Sequence, residues 1–342
     1  MTALPARPDM TTPDGGSAEP PAPVPHRVLT ALLTLAVPAA LALVVVAVAA
    51  AWADDLPDLV AVHFRPEGPD GFGTVSSLVG WTVGGIALAA LVSWALGTFL
   101  GRTGMIRRIA AGLGVGMSVF LGGGSLGLLA IQRGLSDPSL VGDVDPIITA
   151  AMLAGVAVGA LAAWAVPPDP YRVTTRPPPA DAPSLPLAPG ERIAWVRTAG
   201  SHAALGIAVG VAALLLVLAL ALRTASLVAP LVLVPVLVVA LTQVVVTVDV
   251  RGLTVRSRLG GPRLSVPLDE VVRADVTVVA PLREFGGWGY RTTLDGRVGV
   301  VLRAGEALEV ERTGGRRLVV TVDDAGTAAA LLNARAARSR IA

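Results

Sequence analysis

Residues 203–246 read AALGIAVGVAALLLVLALAL, then RTAS, then LVAPLVLVPVLVVALTQVVV. Each flanking block is uncharged and matches the ~20 residues that a helix needs to cross the hydrocarbon of a bilayer. Only Arg223, Thr224, Ala225 and Ser226 join them, so the spacing predicts a tight antiparallel pair of spans. Working outward, four more blocks of this kind lie upstream, at 28–52, 78–100, 109–131 and 147–166. The first competes with a secretory signal, because Ala51-Trp52-Ala53 resembles a cleavage site. A signal's apolar region runs to about 7–15 residues, and this block is longer, so an uncleaved anchor is expected. The predicted fold class is therefore an α-helical polytopic membrane protein of six spans, followed by a small β domain.

The composition agrees with this. Of 342 residues, 53% are hydrophobic and 15% charged, where soluble chains carry about 25% charged residues. There is no Cys, which excludes disulfides and thiolate metal sites. All 27 residues in the Lys+Arg count are Arg, so the lysine of a phosphate-binding loop is missing as well. A formal net charge of +2 gives no support to nucleic-acid binding.

Arginine placement sets an orientation. Arg27, then Arg102, Arg107 and Arg108, then Arg172, Arg176, Arg192 and Arg197 share one side if every block spans. The alternate loops hold Asp54, Asp55, Asp58, Glu67 and Asp70, then Asp137, Asp143 and Asp145. The positive-inside rule then puts both termini in the cytoplasm, and an inner-membrane location is expected. The expected organisation is a disordered tail at 1–27, a four-helix membrane domain at 28–166 with an outer loop at 53–77, a semi-rigid Pro-rich linker at 167–190, a two-helix hairpin at 191–246, a β domain at 247–336 and a basic tail at 337–342. Trp195, ahead of the fifth block, reads as an interfacial anchor. In the β domain, alternating runs at 244–250, 253–259, 263–266, 271–279, 297–303, 308–312 and 317–322 read as strands. Asp323-Asp324 opens a last helix to about Ala336, which closes one end of a small barrel.

No block carries an ionisable residue in its interior, which argues against proton-coupled transport. Glycines four apart, such as Gly112 and Gly116, Gly155 and Gly159, Gly80 and Gly84, or Gly206 and Gly210, let helices approach closely, within one bundle or between chains. No nucleophile elbow, His-Glu-x-x-His helix or phosphate loop occurs, so an enzyme is not expected and no cofactor is assigned. In the outer loop, His63 with Asp58 and Asp70 is the one candidate metal set. The other reading is that these side chains cap turns between Pro and Gly residues.

The pattern Leu56-Pro57-Asp58, His63-Phe64 and Gly68-Pro69-Asp70-Gly71-Phe72-Gly73 resembles the bacterial membrane module called domain of unknown function 1648. The matching residues are Leu56, Pro57, His63, Phe64, Gly68, Pro69, Asp70 and Gly71. That module also occurs in membrane proteins similar to an immunity factor against a sporulation-delaying toxin, which implies a role in toxin resistance and signalling. The C-terminal region is similar to a bacterial pleckstrin-homology-like module, through Val248–Arg258, Pro267-Leu268-Asp269-Glu270-Val271, Phe285–Arg291 and the last helix. That resemblance implies a bent barrel capped by a helix, with a binding function.

Inside the cell, Arg256 and Arg258 alternate onto one strand face near the sixth block, where they face either anionic lipid headgroups or plain solvent. Trp288, Tyr290 and Arg291 form either a contact loop or a loop folded back on the barrel. The expected function is binding, scaffolding or signalling across the membrane. The expected partners are the lipid bilayer, anionic headgroups and an unidentified protein. The alternatives are a transporter or channel for a small uncharged solute, a toxin-immunity protein, and a metal-dependent enzyme built on His63.

Overall fold

The computed structural model describes residues 24–65, 67–188, 190–293 and 296–340. Most of the expected N-terminal tail, Pro189 of the linker and residues 341–342 of the basic tail lie outside the described residues. Among the described residues, five helices are long and apolar enough to cross a membrane: α1 (Arg27–Ala51), α2 (Val75–Phe99), α3 (Gly104–Ala130), α4 (Asp145–Ala165) and α5 (His202–Leu222). This is a helical membrane part. In α1 a π turn at Leu32–Ala36 precedes Pro38, where the proline has no N–H for a regular helical bond and its ring crowds the carbonyl four residues back.

The sixth helix differs from expectation. α6 spans Val228–Thr242, 15 residues, or about 22 Å of helix against roughly 30 Å of hydrocarbon. The expected block ran on to residue 246, but Gln243 opens a strand instead. A run such as Val244-Val245-Val246 fits either structure by hydropathy, and β-branched residues settle into a strand when two neighbours are available to pair with them.

Glycine decides how α3 meets α4. A Cβ built on Gly116 would lie 2.7 Å from the Gly155 carbonyl oxygen, and one on Gly159 would lie 2.6 Å from that of Gly112. The two spaced pairs face each other, backbone against backbone. Gly80, Gly84, Gly206 and Gly210 have open space where a side chain would be. α3 also begins earlier than the expected block and so takes in Arg107, which is fully buried.

The β domain consists of two sheets around one core. The first is an antiparallel meander of β3 (Trp195–Gly200), β4 (Gln243–Asp249), β5 (Gly252–Ser257) and β6 (Arg263–Pro267). The second has the order β7-β10-β11-β9-β8, from β7 (Val271–Val279), β8 (Gly289–Thr292), β9 (Arg297–Val301), β10 (Gly305–Arg312) and β11 (Arg316–Thr321), with β9 and β11 parallel. Val246, Val248 and Leu253 of the first sheet, Leu308, Val310 and Leu318 of the second, and Leu331 and Leu332 of helix α8 (Ala325–Arg338) share the core. A short helix α7 (Pro281–Phe285) covers the outer face of the second sheet with Phe285. Below this scale the expected boundaries shift. β3 lies before α5, so the whole α5–α6 hairpin is inserted between two hydrogen-bonded strands of the β domain. Trp195 is accordingly not an interfacial anchor. It is 5% exposed in the domain core, and its indole N–H donates to Asp324 Oδ2 at 3.0 Å.

The expected linker also does more than space two parts. Residues 167–188 have no helix or strand, but they lie along the domain as a strap. Asn333 Nδ2 donates to the Pro183 carbonyl, Arg338 to those of Leu187 and Ala188, and Arg340 to that of Thr174. The arginines expected in a basic tail are clamps on this strap. Gly116→Leu should force α3 and α4 apart and cost on the order of 1–3 kcal/mol, as overpacking does, whereas Gly84→Leu should be tolerated. Thermal unfolding of the two purified variants in one detergent checks both.

Candidate functional sites on the two faces

At one end of the bundle the chain forms a hairpin of β1 (Val60–Arg65) and β2 (Gly68–Gly73). Gly68 has φ +128°, which suits glycine alone. Gly71 lies opposite His63, and a Cβ there would come within 2.8 Å of the His63 Cβ. The glycines of the motif are thus demanded by the pairing. His63 Nδ1 donates to Asp70 Oδ1 at 2.5 Å, and Arg65 pairs with the other oxygen of Asp70. The hydrogen bond from His63 holds the Asp70 carboxyl below its ordinary range, with Arg65 adding to the effect. Phe64 is half-buried opposite Pro69. Leu56 packs with Trp52 and Val75 against Ala49, Val60 and Leu129, so its role is to seat the hairpin. Pro57 is half-buried and Asp58 exposed on the bend before β1.

The candidate metal set does not assemble. Among the described residues no three His, Asp or Glu side chains gather to hold an ion, and Asp58 stays apart from the His63–Asp70 pair. Asp70 already has two cationic or hydrogen-bonding partners, which fixes its geometry without a metal.

The residue that holds the hairpin to the bundle carried no expectation. Gln132, just past the end of α3, is fully buried. Its Oε1 accepts from the Ala61 N–H at 2.6 Å and its Nε2 donates to the Ala61 carbonyl at 3.2 Å, as a neighbouring strand would. Beside it the Arg133 guanidinium lies 4.8 Å from the Trp52 ring centroid and pairs with Asp55 at 2.5 Å. A lone Gln at a helix end offers no pattern to read, although a buried amide demands partners. Gln132→Leu should leave both Ala61 backbone groups unsatisfied, at about 1–3 kcal/mol. Faster hydrogen exchange confined to 60–65 and 68–73 is the expected readout.

At the other end the β domain docks on the bundle. Tyr290 folds back on the core and its hydroxyl donates to Thr103 Oγ1 at 3.3 Å, so it is no exposed contact residue. Burial pushes the Tyr290 phenol up to about 12, which keeps the proton it donates. Thr103 in turn caps α3 by accepting from the Ile106 N–H. Arg107 donates to the Gly101 carbonyl and to Asp169 Oδ1, both at 3.0 Å, tying the start of α3 to the exit from α4. Trp288 remains half-exposed, and Arg291 Nε donates to its carbonyl. Arg256 is exposed on β5, with Arg263 of β6 directly across from it, whereas Arg258, expected on the same strand face, is exposed in the turn just past the end of β5. Because β4 begins where α6 ends, and Ser257 pairs with Val244, these three arginines sit at the end of the sheet nearest the hairpin helices.

Under the strap lies Glu270, 1% exposed. Its carboxylate pairs with Arg312 and with Arg316 at 3.1 Å, and accepts from the Arg172 N–H at 3.0 Å. Burial alone raises its pKa, but Arg312, the Arg172 amide and Arg316 outweigh burial and leave it lowered. A lowered carboxyl stabilises the fold above its ordinary range and loses that contribution as pH falls through the folded value. Protection of the 171–175 amides, corrected for intrinsic exchange, should therefore hold at neutral pH, begin to fall as pH drops to the ordinary carboxylate value, and lose this contribution once pH passes the lowered folded value. Glu270→Gln should loosen the strap already at pH 7, by on the order of 3 kcal/mol for two stranded arginines. Comparison of the chain with family models, with curated proteins and with solved structures returned no match.

Proposed function

We propose that this is a multi-pass protein of the bacterial inner membrane that binds partners on both faces and holds the two binding surfaces in one frame, as a scaffold or signalling protein and not an enzyme. The observation that carries this reading is the position of α3. One end of it is followed by Gln132, which holds the outer hairpin; the other carries Thr103 and Arg107, where the β domain docks. A helix of 27 residues covers about 40 Å, enough to reach from one face to the other.

Six crossings with both termini in the cytoplasm fit this frame. β3 and β4 are paired neighbours, so the α5–α6 hairpin leaves and returns on one side. If α5 crosses, α6 crosses back, helped by local thinning of the bilayer or by its flanking residues. The arginine bias makes the β-domain side cytoplasmic. The meander β3-β4-β5-β6, the β7-β10-β11 triplet and the helix α8 over their shared core favour the pleckstrin-homology-like reading, with α7, β8 and β9 as an insert between β7 and β10. Within this reading the toxin-immunity role implied by the loop resemblance is one case, the toxin being the outer partner. Close packing inside the bundle, where a Cβ on Gly114 would lie 3.1 Å from the Ser93 Cβ, favours a scaffold over a solute path.

A photo-crosslinker at Val62, exposed on the hairpin, is expected to capture an outer partner in whole cells, and His63→Ala and Asp70→Asn are expected to abolish the capture while the protein still purifies as folded. Unchanged capture in both variants would make the hairpin structural and sink the outer half of the proposal.

A further inference from the structure

The β domain and the bundle do not meet flush. Between them lies a cleft of about 320 Å³, at the lower end of the roughly 300–1,000 Å³ typical of small-molecule sites. Gly104, Met105 and Arg108 of the first turns of α3 form one wall, and Arg263 and Leu264 of β6 form another. Both carboxylates on its surface are already engaged, Asp169 by Arg107 and Glu270 by Arg312 and Arg316. Among the described residues, Arg108 and Arg263 have no acidic partner. Arg108 Nε donates to the Val166 carbonyl at 3.1 Å, and Arg263 Nε to Ser265 Oγ at 3.1 Å. Each bond fixes a guanidinium through its inner nitrogen and leaves the outer two nitrogens able to donate. Gly104 and Met105 are the first residues of a long helix, whose leading N–H groups have no intrahelical acceptor and whose dipole is positive there.

Two guanidinium groups and a helix start, facing one cleft whose two carboxylates are already paired with other arginines, make a receptor for a tetrahedral dianion or monoanion, since Arg pairs with phosphate through parallel N–H bonds. Met105 and Leu264 add an apolar wall, at the level where α3 enters the bundle. We propose that this cleft binds a phosphate group, the headgroup of an anionic phospholipid whose hydrocarbon continues along the apolar wall. The site is distinct from Arg256 and Arg258, which lie outside the cleft, and it does not depend on what the outer hairpin binds. Bound there, the headgroup bridges α3 to β6 and fastens the domain to the bundle.

The test uses the purified full chain in detergent, with native mass spectrometry as readout and three probes: short-chain phosphatidylglycerol, the matching diacylglycerol without phosphate, and inorganic phosphate. Phosphatidylglycerol is expected to bind and diacylglycerol is not. R263Q, on an exposed strand position, and R108Q should each weaken binding by about tenfold, the scale of one charge-assisted bond. R251Q, at the far turn of the sheet where Arg251 pairs with Asp249, should bind as the parent does. Inorganic phosphate that competes only at far higher concentration supports a lipid source. Competition at equal concentration supports a soluble phosphate compound in the same site. Equal binding of diacylglycerol, undiminished binding by both R263Q and R108Q, or an equal loss in R251Q overturns the proposal.

Discussion

The pairing of β3 with β4 is the constraint on which the rest depends. Their register runs from Trp195 opposite Val248 to Gly200 opposite Gln243, and two apolar helices are inserted at its end. Val244, Val246 and Val248 all face the core, so a slip of one residue would turn every one of them outward. The register is therefore fixed by burial, and it fixes the two ends of the hairpin about one strand spacing apart, near 5 Å. Gly200 takes part in this. A Cβ there would strike the Gln243 amide at 2.3 Å, and that amide reaches over the glycine to the Ser201 carbonyl. A β domain whose first turn is an apolar helical hairpin is held to that hairpin by covalent geometry, with no tether between the two.

Polar groups collect at the two ends of α3, while its middle is nearly bare of them. In the middle, Gly112 and Gly116 meet Gly155 and Gly159 at backbone distance, a contact that gains from dispersion and excludes anything larger. At the ends the chain has to satisfy loops and strands as well. Gln132 does so as a neutral amide with three bonds, to both backbone groups of Ala61 and to the Leu128 carbonyl. Arg107 does so as a buried charge, offset by Asp169 and the Gly101 carbonyl. A buried ion pair is weak evidence for stability, but it is costly to break singly, which favours one arrangement over near alternatives.

Much of this was legible in the sequence, and what was not has a physical reason. The long uncharged blocks gave the helices because a bilayer accepts apolar side chains on every face. Strict alternation at 271–279 and along β5 gave strands for the same reason in a different period. Trp195 to Gly200 does not alternate, two apolar residues being followed by Arg197 and Thr198, and it is short and abuts a long apolar block, so it carried no strand signal of its own. Val244 to Val246 is apolar in both periods, and only the partners on either side, far away in sequence, choose the strand. In the hairpin, the resemblance motif contains His63, Asp70 and Gly71, which pair with or face one another, and Gly68, which lies opposite Arg65. Gln132 was passed over and Glu270 was read only as part of a motif, its buried pairing unseen, for a common reason. Each is a single polar residue whose partners lie more than forty positions away or in an irregular strap, and no local pattern encodes such a meeting.

A scaffold needs only the fixed spacing that this frame supplies, whereas a signal also needs a joint that can take a second arrangement. The sheet core and the α3–α4 contact are close-packed and resist small displacements. The strap is held by bonds all along its length, from Tyr171 and Arg172 through Thr174, Asp181 and Pro183 to Leu187 and Ala188. Among the described residues, the seam between α3 and the β domain includes the hydroxyl bond from Tyr290 to Thr103 and the walls of an arginine-lined cleft. Motion is drawn from such places, where few apolar contacts are buried. Any ligand that biases the molecule therefore does so most effectively at that seam, since elsewhere the same free energy would be spread over contacts that have no alternative to adopt.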